Sequence, residues 1–253
     1  MLVVENLSVR FRQHDGAHLA PIRDVSFTLP RGELTGLVGG SGAGKSLIAE
    51  ALIGNLPHNA EITGRMEFDG ARLKHGTLAL APQSRDALDP LSPVGRQVAR
   101  FAKLAGRDCN VATLFSHLGL PPANLKLWPH ELSGGMAKRV LLATALATGA
   151  DCIIADEPTA GLDGEAADRI MALLGSLASD GKAVLVISHD LTRLAQIARQ
   201  MVILKDGRQV DVTDTEAFHT GALTHPFTKA LWQAQTWEDF ALPPREGQYD
   251  AQR

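Results

Sequence analysis

Between the apolar run "LTGLVG" and a helix-forming stretch that opens at Lys45 stands "GGSGAGKS", the part of the chain that most restricts its fold. Gly39, Gly40, Ser41, Gly42, Ala43, Gly44, Lys45 and Ser46 satisfy G-x-x-x-x-G-K-[ST], and the flanking strand and helix patterns supply the context that this spacing requires. Glycines there let backbone N–H groups curve inward around phosphate oxygens, and the helix N-terminus adds its positive end. Lys45 is then expected to reach the β- and γ-phosphates of a nucleotide, with the Ser46 hydroxyl as a Mg²⁺ ligand. The plain alternative, a flexible glycine turn before an ordinary lysine, does not account for both flanks.

The expected fold follows. It is an α/β P-loop nucleotide-binding fold with a mainly parallel central sheet flanked by helices, an N-terminal antiparallel β subdomain and a helical insertion. Residues 2–11 and 22–29 alternate as strands, and "LTGLVG" reads as a buried strand. A helix is expected from Lys45 to Leu56, stopped near Pro57, with strands near 62–68 and 77–81. After "APQSRDALDPLSP" the patterning turns helical. Helices at 133–148, 164–179 and 190–199 then alternate with the strands "DCIIADE", "AVLVIS" and "MVILKDG". The division expected is an ATP-binding core at 1–83 and 139–220 and a helical subdomain at 84–138. A C-terminal helix (about 226–237) and a loose tail fill 221–253.

A nucleotide-bound Mg²⁺ needs acidic support, since it keeps several waters and takes one or two carboxylates. "CIIADE" ends a buried strand on Asp156, a candidate Mg²⁺ ligand, and Glu157 beside it is the candidate for deprotonating the attacking water. Two acids that merely cap a turn would be the ordinary reading without the phosphate loop. In "ISHDL", His189 follows another apolar strand, on the edge where α/β proteins bind ligands, placed to donate to a γ-phosphate oxygen. His14 and His18 have pairing spacing but no third ligand, so a metal site made by the protein alone is not expected.

Composition narrows the function further. A net charge of −3 without a basic run disfavours a stable nucleic-acid partner. Cys109 and Cys152 match no zinc spacing, and Cys152, inside an apolar run, reads as a buried thiol in a reducing compartment. "MLVVENLSVRF" alternates like a strand and lacks the order of a signal peptide, and no apolar stretch reaches the ~20 residues that span a bilayer.

"GGSGAGKS", Gln83 in "APQS", "LSGGM", "CIIADEP", "AGLD" and "ISHD" together resemble, in order and spacing, the nucleotide-binding subunits of ABC transporters over nearly the whole chain. The resemblance implies ATP and Mg²⁺ as ligands and a head-to-tail pair of subunits. The signature residues Ser133, Gly134, Gly135 and Met136 would face the partner's ATP. It further implies that Phe11 stacks on adenine, that Gln83 meets Mg²⁺ or the attacking water, and that Asp163 lies at the subunit interface. Two departures stand out: Lys138, after Ala137, replaces the usual glutamine, and Ala160–Gly161 precedes "LD" where many relatives have Ser-Ala or Thr-Ala.

"LSGGM", "SRDALDPLSPV" and "THPFTKAL" resemble the oligopeptide, dipeptide and nickel importers, and "LVGGSGAGKSL", "IIADEPT" and the short tail resemble the nickel-import subunits most. The expectation is an ATP-hydrolysing motor subunit for nickel or a nickel chelate, the alternatives being a di- or oligopeptide importer and a non-transport ABC ATPase. Implied partners are a second ABC ATPase (a heterodimer before a homodimer), two integral-membrane permease subunits and, indirectly, an extracytoplasmic solute-binding protein. The implied place is peripheral, on the cytoplasmic face of the inner membrane.

Overall fold

The computed structural model describes residues 1–13, 16–74 and 76–240. His14 and the tail beyond 240 lie outside the described residues. The strands are β1 (Leu2–Arg12), β2 (His18–Leu29), β3 (Leu34–Gly39), β4 (Ala60–Phe68), β5 (Ala71–Arg72), β6 (Leu78–Ala81), β7 (Cys152–Asp156), β8 (Ala183–Ile187), β9 (Gln200–Lys205) and β10 (Arg208–Asp214). The α-helices are α1 (Lys45–Ile53), α2 (Val94–Leu104), α3 (Val111–His117), α4 (Gly134–Ala147), α5 (Gly164–Ser179), α6 (Leu191–Ile197), α7 (Glu216–Thr220) and α8 (Pro226–Phe240).

All ten strands form one sheet in the order β5-β4-β1-β2-β10-β9-β3-β8-β7-β6. Its N-terminal part, β1 with β2, β4 and β5, is antiparallel. Its other half, β9-β3-β8-β7-β6, is parallel, as the βαβ alternation leads one to expect. Residues of β3, β7 and β8 are buried throughout because both faces are covered. Cys152 and Ile154 enter one core with α1 and the antiparallel strands, whereas Ile153 and Ala155 enter the other with α4, α5 and the helical insertion.

Several boundaries differ from the sequence expectation: β2 begins at His18 where 22 was expected, and α6 and α8 run Leu191–Ile197 and Pro226–Phe240. Helix α1 ends at Ile53, before Pro57, because Gly54 adopts φ 74° and its N–H returns to the Ala51 carbonyl at 3.2 Å. Strand β10 was not expected at all. Asp206 and Gly207, with φ of 49° and 73°, turn β9 directly into it, and "DG" after the apolar run "MVILK" was the available signal. The helical insertion between β6 and β7 carries α2, α3 and short 3₁₀ turns. The 138/139 division falls inside α4, one continuous helix. Within the insertion, buried Gln97 orders the loop after Gln83: its Nε2 donates to the Asp89 and Ser92 carbonyls at 2.9 and 2.7 Å, and its Oε1 accepts from the Asp89 N–H at 2.9 Å.

Candidate nucleotide site

The parallel strands β3, β6, β7 and β8 end at one edge of the sheet, and their following residues include every motif of the expected phosphate site. The register puts Asp156 level with Ile187, and Ile187 level with Leu37. That alignment brings the glycine loop, the two acids and His189 together.

The loop itself runs from Gly39 to Ser46. A Cβ at Gly39 would lie 2.4 Å from the Leu204 carbonyl oxygen, and one at Gly44, where φ is 94°, 2.2 Å from Ile22 Cδ1. These two glycines are therefore required by the backbone's path, one against β9 and one against β2. Lys45 Nζ folds over the loop and donates to the Gly39 and Gly40 carbonyls at 2.9 and 3.1 Å. Ser46 is exposed at the second position of α1, with its hydroxyl near enough to the Asp156 carboxylate to favour the ionised form.

Asp156 is only 4% exposed, and burial pushes its carboxyl above the ordinary range, with Ser46, Lys138 and Lys45 acting the other way. Among the described residues, its Oδ1 is the one buried side-chain oxygen or nitrogen without a hydrogen-bond partner. An orphaned carboxylate oxygen beside a hydroxyl is a donor pair that suits a hard divalent cation such as Mg²⁺. No group of three His, Cys, Asp or Glu side chains that could hold a metal occurs among the described residues.

Glu157 takes a backbone conformation unusual for its type, with φ 48°. Its N–H donates to the Ile187 carbonyl at 2.8 Å, and its own carbonyl accepts from Lys138 Nζ at 2.6 Å. Its Oε2 lies 2.8 Å from His189 Nδ1. The carboxylate is nearly buried, at 10% exposure, whereas the imidazole is 69% exposed. A strained, fully tethered glutamate in contact with an accessible histidine has the form of a positioned base.

Lys138, the departure noted after the signature, has a clear place in the fold. It stands in the second turn of α4, half-buried, with its ammonium drawn below the usual lysine range by burial while the carboxylates of Glu157 and Asp156 oppose that shift. It joins the signature helix to the acids. At the start of that helix Ser133 is the N-cap, its Oγ accepting from the Met136 N–H at 3.2 Å. Ser133 and Gly134 are exposed, and Met136 packs partly into the core. A Cβ at Gly135 would approach Leu162 Cδ2 to 2.8 Å, so the signature turn rests against the "AGLD" loop. There Asp163 caps α5, accepting from the Ala166 N–H at 2.8 Å.

The remaining expected residues are Gln83, which follows β6 at the same sheet edge because Ala81 is level with Ala155, and Phe11. Gln83 is exposed just beyond β6. Phe11, half-buried near the end of β1, packs against the cluster that contains Ile22 and Ala43. Cys152 is fully buried, and burial pushes its thiol up to about 12.

The sequence profile of ABC transporters matches residues 22–160. The oligopeptide transport ATP-binding protein OppD of Haemophilus influenzae is 34% identical over 257 residues, covering 92% of this chain and 78% of that protein. The dipeptide transport ATP-binding protein DppD of Escherichia coli is 34% identical over 260 residues, with the same coverages of 92% and 78%. The glutathione import ATP-binding protein GsiA of Escherichia coli is 33% identical over 263 residues, which take in 92% of this chain and 42% of that longer protein. Among solved structures, a dimeric ATP-binding cassette in a post-hydrolysis state bound to ADP and Pi superposes with a TM-score of 0.75 at 24% identity, over 85% of this chain and 99% of that one. An ATP-binding subunit of an ABC transporter gives 0.77 at 23% identity, over 93% and 99%. The structural likenesses establish the fold, and the sequence matches establish the lineage: this chain belongs to the ABC transporter family, as one of its ATP-hydrolysing subunits.

Proposed function

We propose that the chain is the motor subunit of an importer for small peptides or chemically related solutes, acting as half of a pair of ATPase subunits. The observation that supports this best is the cluster at the sheet edge, where Ser46 meets Asp156 and Glu157 meets His189. In this reading the N–H groups of Gly39–Ser46, together with Lys45, hold the β- and γ-phosphates, and Phe11 meets the adenine. Ser46, Asp156 and Gln83 would hold Mg²⁺, which when bound neutralises charge spreading over the phosphoryl oxygens. Glu157 takes a proton from the attacking water. His189, with Nδ1 committed to Glu157, has Nε2 available for the γ-phosphoryl group.

The exposed Ser133 and Gly134, with Gly135 and Met136, complete the partner's site, and Asp163 borders the interface. The core (1–83 and 139–220) binds ATP, the insertion (84–138) passes the motion to two permease subunits, and 221–253 is the C-terminal helix and tail of the expected division. A companion ATPase in a heterodimer, a solute-binding protein acting through the permeases, and no nucleic acid complete the proposed partners. No described helix is long and apolar enough to cross a membrane, which suits a peripheral subunit on the cytoplasmic face of the inner membrane.

For the solute, the names of OppD, DppD and GsiA favour peptides. The details of "LVGGSGAGKSL" and "IIADEPT" keep nickel as the second reading. Hydrolysis by the assembled complex, stimulated by binding protein loaded with dipeptide and not with nickel, would fit the first reading; the reverse would fit the second. The paired site is tested by Ser133→Arg. That variant should bind ATP normally yet fail to support hydrolysis in the assembled pair, and loss of its own ATP binding would contradict the assignment.

A further inference from the structure

Helix α8 reaches back to the loop that carries His189. The amide of Gln235 is engaged at both ends: Oε1 accepts from the Leu191 N–H at 2.7 Å, and Nε2 donates to the His189 carbonyl. Those two backbone groups flank Asp190, so a side chain 46 residues away in sequence holds the main chain of His189 against the start of α6. A carboxamide suits this position because it presents one acceptor and one donor in a plane. Glutamate would oppose the carbonyl, and leucine would satisfy neither group.

The helix is firmly seated before it reaches the loop. Thr228 is fully buried and donates its Oγ1 to Asp211 Oδ2 at 2.6 Å. Trp232 meets Phe218 edge-on with ring centroids 5.2 Å apart, and Lys205 Nζ lies 5.0 Å from the centre of the Phe227 ring. These contacts fix α8 to β9, β10 and α7. Gln235 carries that rigidity to the catalytic edge. The imidazole of His189 is 69% exposed, so its aim depends on its own backbone and on one contact to Glu157 more than on surrounding side chains.

We propose that Gln235 is a positioning residue for His189, and that α8 is thereby part of the catalytic apparatus. The inference rests on the reading of His189 as a group that faces the γ-phosphoryl. Displacing α8 then slows hydrolysis without touching bound ATP.

The test compares wild type, Gln235→Leu, His189→Ala and the double variant in the assembled transporter, measuring steady-state hydrolysis and ATP binding. Gln235→Leu should lower kcat about 10-fold through misplacement of His189, with KM for ATP unchanged to within about twofold. In the His189→Ala background it should cause no further loss. Gln235→Glu should reproduce the fall in kcat, which covers the case in which the leucine variant folds poorly. A wild-type kcat for Gln235→Glu, or an equal loss in both histidine backgrounds, would overturn the inference while leaving the role of His189 intact. A wild-type rate for His189→Ala would overturn that role and this inference together.

Discussion

Asp156 carries a conflict between stability and function. Its carboxylate is buried with one oxygen unpartnered, a cost that only a cation would offset. Asp156→Asn should therefore stabilise the Mg²⁺-free chain by about 1 kcal/mol while abolishing hydrolysis. The pH dependence follows from the raised carboxyl. The unfolded chain releases this proton in the ordinary carboxylate range and the native chain above it, so wild type loses stability relative to the variant as pH rises between the two. Thermal melts of both proteins across that interval would check the sign. Lys138 is the second case at this scale. Lys138→Met removes the shorter of two hydrogen bonds to the Glu157 carbonyl, leaving the Ala160 N–H at 3.3 Å, and should cost about 1 kcal/mol. Lys138→Gln keeps a donor and should lose less, both being measured by denaturant unfolding. Asp156, Glu157 and Lys45 were legible because their spacing against strand ends encodes their place. The partner of Lys138 was not, since its contact closes a gap of 19 residues in three dimensions and leaves no periodic trace.

Among the elements, the β9–β10 hairpin joins the two halves of the sheet. Gly207, at φ 73°, accepts through its carbonyl from the Arg23 N–H at 2.8 Å, and a Cβ there would stand 1.8 Å from the Pro21 carbonyl oxygen. Gly207→Ala should thus destabilise the protein by about 1–3 kcal/mol, from left-handed strain and a clash that only backbone movement relieves. Urea unfolding would measure it. The parallel strands and their helices could be read from apolar runs and 3.6-residue patterns. β10 was harder: its residues are mostly half-buried and polar, and its β-structure comes from pairing with β9. Helix α8 was visible as an amphipathic stretch opened by Pro226, but its reach to His189 was not, because one glutamine amide decides it.

For the whole molecule, two surfaces emerge in one fold. One gathers Lys45, Ser46, Asp156, Glu157 and His189; the other presents Ser133 and Gly134 at the start of α4. Lys138, on that same helix, ties them together. The sequence indicated both surfaces through motif order, but the tie required the fold. The same burial leaves Cys152 inert: with its thiol pushed up to about 12, it should resist a thiol reagent in the native protein and react only after unfolding. In the proposed mechanism, hydrolysis depends on Glu157 as base in a site closed by a partner subunit. Phosphate release by the assembled complex carrying Glu157→Gln tests it most directly. Retained ATP binding with turnover lowered roughly 10²–10⁴-fold is expected, and near-normal release would remove Glu157 from the role of base.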